Sequence, residues 1–235
     1  FRTDVLGGTG DVIHITSAEE LVTQITRHVM AGSTDCYTGS YVLDNDIDLS
    51  TLPANGETLI SGIFMGRLDG QGHKLSGNTA PLFENIKFGY VTDLTLENSA
   101  IQSARAEKIG MLACNVEYST LEKIVVKDGT IQALRETGAV AGRITSSSIQ
   151  DVHATGVTVN GSARVGTFAG YVDKSQILES SANGESSGTG SAVGGFAGEV
   201  VGGSVVRDSY SVGRAKGAGG SDDVGGFVGY VNAST

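Results

Sequence analysis

VGTFAGYV, residues 165–172, is one of five versions of a single phrase. The others are IGMLACNV from Ile109, TGAVAGRI from Thr137, VGGFAGEV from Val193 and VGGFVGYV from Val224. Their lead glycines, Gly110, Gly138, Gly166, Gly194 and Gly225, are separated by steps of 28, 28, 28 and 31 residues. A fixed period of this size is the mark of a solenoid, in which each repeat is one supersecondary unit stacked on the next. Leu121, Ile149, Ile177 and Val205 keep the same 28-residue step and open stretches such as LEKIVV and IQDVHATGVTV. Apolar and polar residues alternate there with β-branched enrichment, so each repeat reads as strand, turn, strand, turn, strand.

Side chains two apart in a strand share a face. Alternation places Gly166, Phe168, Gly170 and Val172 inward and Thr167, Ala169 and Tyr171 outward. The positions matching Phe168 are Leu112, Val140, Phe196 and Phe227, all apolar, and those matching Tyr171 are Asn115, Arg143, Glu199 and Tyr230. Stacked in parallel at about 4.8 Å per repeat, such coils bury a column of Phe, Leu and Val down their axis. The predicted fold is all-β: a right-handed parallel β-helix of about 28 residues per coil over residues 60–235, preceded by an N-terminal cap and opening strand over residues 1–59. Six or seven coils from Ile60 onward are expected.

In the first third, Ser17 followed by Glu20 forms a capping-box pattern, and Leu21, Ile25 and Val29 then recur at four-residue spacing. An α-helix over residues 18–30 is predicted, with those three side chains covering the exposed end of the first coil. YVLDNDIDLS from Tyr41 reads as a strand.

Composition narrows the functional classes. Sixteen basic against 26 acidic residues leave a net charge of −10, with no concentration of Lys or Arg to neutralise phosphates, which argues against a nucleic-acid partner. No apolar run reaches the length of a membrane span. The chain begins at Phe1 without methionine and stops at Thr235 soon after a fresh repeat, so a fragment of a longer protein with additional domains is expected. Cys114 takes the position held by Gly142, Gly170 and Gly198 in later copies, which predicts a buried, small-residue role; Cys36 is the other cysteine.

The order SAEELVTQI, YVLDNDIDLS, FMGRLDGQGHKLSG from Phe64 and PLFENIKFGYVTDLTLENSAI from Pro81 resembles the opening coils of bacterial β-helical surface proteins that carry GLUG repeats. The five glycine phrases resemble the GLUG motif itself, and the whole pattern, over about residues 12–231, is similar to the non-catalytic β-helical region of immunoglobulin A1 metalloproteases. The resemblance implies a scaffold at the bacterial surface or outside the cell, and it transfers no catalytic residue. A zinc protease needs HExxH on one helical face, and none of His14, His28, His73 and His153 begins such a pattern.

Other constellations read as structural. DNDID from Asp44 has the first carboxylates of a calcium loop, but Leu49 stands where glycine is required and Asn55 where a bidentate glutamate is required. Alternation accounts for it by putting Asp44, Asp46 and Asp48 in water and Ile47 and Leu49 inside. Asp69, Gly70, Gly72 and His73 form a tight turn in which Asp69 bonds local amides. Asp222 and Asp223 precede the last glycine phrase, where the 31-residue step shows an insertion, and read as a solvated loop. The sequence thus points to no catalytic residue, metal ligand set or cofactor; Tyr171 and Tyr230 are the candidates for surface binding, through stacking on sugar rings. Three functions fit: a scaffold or spacer, a module recognising a host protein or glycan, and a polysaccharide-degrading enzyme with a groove along one face.

Overall fold

Each glycine phrase turns a corner between two strands. The computed structural model of the protein describes residues 12–52, 58–103, 107–219 and 222–235, and shows a parallel β-solenoid of about 7 turns, with about 28 residues per coil. Among the described residues two sheets, of 15 and 8 strands, run along most of it, and a third, of 4 strands, joins them from Arg135–Thr137 onward. The 8-stranded sheet stacks Cys36–Tyr37, Ile60–Phe64, Phe83–Lys87, Ala113–Glu117, Ala141–Thr145, Ala169–Asp173, Ala197–Val201 and Val228–Val231 in that order. Register follows the repeat: Ala141 pairs with Ala169 and Arg143 with Tyr171, then Ala169 with Ala197 and Tyr171 with Glu199. The 15-stranded sheet begins upstream of Ile60, since Ile13–Ile15 pairs with Ser40–Leu43 and Ser40–Leu43 with Arg67–Asp69.

One hydrophobic cluster extends from Ile15 to Val200. Leu112, Val140, Phe168 and Phe196 are fully buried in a column, and Phe227 is only half-buried at its C-terminal end. The rings of Phe168 and Phe196 stack at 4.5 Å and those of Phe196 and Phe227 at 4.9 Å.

Two outward assignments change. Thr167 and Ala169, expected in water, are fully buried. The phrase is not one strand: Ala163–Gly166 and Ala169–Asp173 are separate strands in different sheets, and the period of two restarts at the bend between them. The glycines exist because backbones meet there. A Cβ on Gly138 would stand 2.3 Å from Ala169 Cα in the next coil, and one on Gly170 2.3 Å from the Glu136 carbonyl carbon in the preceding coil. Cys114, at the corresponding position, is half-buried against the core rather than fully enclosed.

Other corners are made by left-handed residues. After the 8-stranded sheet these are Phe88, Tyr118, Ser146 and Lys174, with φ of 55, 48, 50 and 49°. Further round the coil they are Asn98, Asp128 and Gly156, with φ of 57, 52 and 64°. The conformation costs about 1–2 kcal/mol for most L-residues, and Asn, Asp and Gly tolerate it best. A buried serine ladder supports the first set. Ser119, Ser147, Ser175 and Ser204 each donate their hydroxyl to a carbonyl of their own coil. Each also accepts an amide N–H from the preceding coil, at 3.1–3.2 Å. That arrangement gives the amides of Gly89, Ser119, Ser147 and Ser175 an acceptor inside the turn.

The helix covers Ala18–Arg27, three residues shorter at its C-terminus than predicted. Ser17 Oγ accepts the Glu20 amide, while Glu20 reaches back to the amide and hydroxyl of Thr16, one residue earlier than a standard capping box. Ala18, Leu21 and Ile25 are its buried residues, and the helix packs on strands Ile13–Ile15, Cys36–Tyr37 and Ile60–Phe64 at the N-terminal end of the core. Val29, expected inward, lies past the helix, 39 % exposed, in an isolated bridge to Tyr37. No helix among the described residues is long and apolar enough to cross a membrane.

Candidate functional site

The outer face of the 8-stranded sheet carries the column that contains both sequence candidates: Asn85, Asn115, Arg143, Tyr171, Glu199 and Tyr230, in register. Two cations lie against Tyr171, with the Arg143 guanidinium 4.6 Å and the Arg164 guanidinium 5.1 Å from its ring centroid. Burial raises its pKa above the ordinary phenol value. Tyr230, at the far end, is 41 % exposed. Structure therefore places the two tyrosines on one face, with Glu199 between them.

Beneath Tyr171 is an ion-pair network that the sequence reading missed. Glu136 is almost fully buried and accepts two hydrogen bonds from Arg143, at 2.8 and 2.5 Å, and one from Arg164 at 2.9 Å. Arg164 also donates to Glu199. Burial alone would raise the Glu136 pKa, but the hydrogen bonds and charges of the two arginines outweigh it and hold the carboxyl below its ordinary range. The hydrogen bonds that Arg143 donates to Glu136 hold its guanidinium above the usual value. The available signal was that Glu136 and Arg164 stand 28 residues apart, so opposite charges stack in adjoining coils.

The histidines and the other acids singled out in the sequence are dispersed, each with its own local partners. Asp69 accepts the Gln71 amide at 3.0 Å, closing its turn as expected, while His73 faces Asp46 at 3.2 Å rather than Asp69. Asp46 also accepts the Lys74 amide, and that bond leads the effects that lower its pKa. Asp44 holds His14 at 2.8 Å and Asp48 accepts the Ser50 amide at 2.9 Å, with Ile47 and Leu49 buried between them. His28 Nδ1 bonds the Gln24 carbonyl and His153 lies between Ser181 and Asp151. Asp222 and Asp223 are exposed, and their carbonyls accept the amides of Ala192 and Val193. Asn55 lies outside the described residues. Among the described residues no group of three or more His, Cys, Asp and Glu is placed to hold a metal.

A shallow polar cavity of about 220 Å³ opens elsewhere, lined by Thr158, Asn160, Glu185, Ser187, Arg214 and Lys216. It brings two cations beside one carboxylate, and each residue lining it is polar or charged, unlike an ordinary small-molecule pocket.

The family model for the M26 IgA1-specific metallo-endopeptidase N-terminal region matches residues 16–129. The chain resembles the β-helical region of IgA1 proteases. A Streptococcus pneumoniae protein named immunoglobulin A1 protease is 30 % identical over 140 residues, which cover 58 % of this chain and 7 % of that protein. The chain thus matches a small part of that curated relative's length. A Bacteroides ovatus protein, whose crystal structure is described as that of a candidate immunoglobulin A1 protease, superposes with a TM-score of 0.69 at 15 % identity, over 97 % of this chain and 76 % of that one. A further structure named IgA1 protease gives a TM-score of 0.69 at 20 % identity, over 93 % of this chain and 19 % of that one. At these identities the two structures speak for the solenoid alone.

Proposed function

We propose that the chain is a non-catalytic β-helical scaffold in a larger IgA1-protease-type protein that acts outside the bacterial cell or at its surface. The observation that supports it most is the dispersal of its reactive side chains: all four histidines are engaged by different partners at separate places, and the most buried carboxylate, Glu136, is neutralised by two arginines rather than left to act on a substrate. A rigid rod with one continuous core suits the task of holding other domains at a set distance, because each coil contacts only its neighbours and the assembly resists bending by its shared ladder. Its chemistry, in this reading, belongs to other domains of the same polypeptide.

The test is incubation of the purified chain with immunoglobulin A1 and with acidic and neutral polysaccharides, and then a search for cleavage products. No products are expected. Turnover that is lost on replacing Asp69, His73, Asp222 or Asp223 would refute the scaffold and establish an enzyme.

A further inference from the structure

Of the left-handed non-glycine residues among those described, only Phe88 and Tyr118 are aromatic. Around the second corner the chain uses Asn98, Asp128 and Gly156, whose side chains suit that conformation, yet at the first it uses Phe88 and Tyr118. Neither aromatic gains burial from its place, since Phe88 is 43 % and Tyr118 55 % exposed. They stack on each other at 5.3 Å and 15°, so each ring covers one face of the other. Lys87 lies 5.9 Å from the Phe88 ring, leaving Tyr118 as the end of the stack.

In the next two coils the same corner carries the small Ser146 and then Lys174, as the ladder bonds from the Tyr118 amide to the Thr145 carbonyl and from the Ser146 amide to the Asp173 carbonyl show. The outline therefore drops by one side chain, one coil wide, beside the free face of Tyr118. Among the described residues no ring or cation covers that face. The flanks of the step are polar: Thr145 before the corner and Ser148 after it, with Lys174 in the coil beyond. The hydroxyls of Tyr118, Thr145 and Ser148 and the ammonium of Lys174 make no hydrogen bond or ion pair among the described residues.

We infer that this step binds a pyranose ring of a glycan, going beyond the scaffold reading. A pyranose has an apolar C–H face that stacks on an aromatic ring and a rim of hydroxyls that needs donors and acceptors at its edge. Tyr118 supplies the first and Thr145, Ser148 and Lys174 the second. One coil, about 4.8 Å, matches the thickness of one stacked sugar. Phe88 stacks on the opposite face of the Tyr118 ring.

Saturation-transfer NMR on the 235-residue chain tests this with methyl galactoside, N-acetylglucosamine and N-acetylneuraminic acid as separate probes. Transfer to the ring protons of at least one is expected. Tyr118→Asn places a residue tolerant of the left-handed conformation there, and Tyr118→Lys copies what the corner already carries at Lys174; both are expected to keep the thermal midpoint of unfolding. Both are expected to weaken that sugar by about tenfold or more, the equivalent of about 1.4 kcal/mol. Absence of transfer from all three sugars overturns the proposal. So does undiminished binding by either variant that folds.

Discussion

Replacing Phe196 by alanine tests the stacked interior directly. The ring has no exposed surface and lies between two others, at 4.5 Å from Phe168 and 4.9 Å from Phe227. The coils cannot close on the space it leaves, because ladder bonds hold them at fixed separation: the Phe168 amide donates to the Phe196 carbonyl at 2.8 Å, and the Phe196 amide to that of Phe227 at 2.7 Å. A site that collapses little lies at the upper end of the usual range for such truncations, so a loss of about 4–5 kcal/mol is expected. Phe196→Leu keeps the column filled with the residue found at Leu112 and is expected to cost less than about 1.5 kcal/mol. Phe227→Ala removes a half-buried ring with one neighbour and is expected to cost about half as much as Phe196→Ala. Urea unfolding monitored by circular dichroism, with the slope compared between variants, measures all three. A loss below about 1 kcal/mol for Phe196→Ala, or the same loss for Phe196 and Phe227, would refute a packed column.

Glu136→Ala, which strands two arginines, is expected to destabilise by about 3 kcal/mol, the low end for a broken buried pair because both arginines retain some solvent. Since the Glu136 pKa is depressed on folding, its ionised contribution is complete above the ordinary carboxylate range and is lost as pH falls through the folded value; the stability gap between native and variant should narrow in acid, and a gap that widens there would contradict the network. Gly170→Ala puts a methyl 2.3 Å from the Glu136 carbonyl carbon and is expected to cost about 1–3 kcal/mol in thermal unfolding, against none if the coils stood further apart. Ser17→Ala removes the helix cap and should cost about 1 kcal/mol, whereas deleting the helix should expose the first coil and produce dimers or aggregates on a sizing column.

Much of this architecture was legible from spacing alone. The 28-residue step of the glycine phrases carried the coil length, the parallel register and the column through Leu112, Val140, Phe168 and Phe196. Thr167 and Ala169 were misplaced because a corner interrupts strand alternation, and alternation cannot show where a chain bends. Val29 kept helical spacing with Leu21 and Ile25, but the helix had already ended at Arg27, and only packing against the first coil decides that. The serine ladder was periodic in plain view, Ser119, Ser147 and Ser175 being 28 apart, yet serine at a turn is so common that its period carries little weight until its hydroxyls are seen inside. The Arg143–Glu136–Arg164 network was less accessible, because it joins a residue of one sheet to residues of another across a corner.

The same division explains how two structures at 15 % and 20 % identity can share this shape with a TM-score of 0.69. A coil demands apolar side chains facing inward, small residues where backbones touch, and turn residues at its corners; its outward positions are bound by none of these. Asn115, Arg143, Tyr171, Glu199 and Tyr230 illustrate the freedom, since an amide, a guanidinium, a carboxylate and two phenols occupy one stacked column without disturbing its register. Architecture is therefore a poor guide to what such a rod contacts, and repetition is a poor guide too. The informative positions are those where a residue defies the local rule without gaining burial for it. By that criterion Tyr171, with two arginines against its ring, is explained by its own network, whereas Phe88 and Tyr118 are exposed, left-handed and stacked, with one ring face open to a partner.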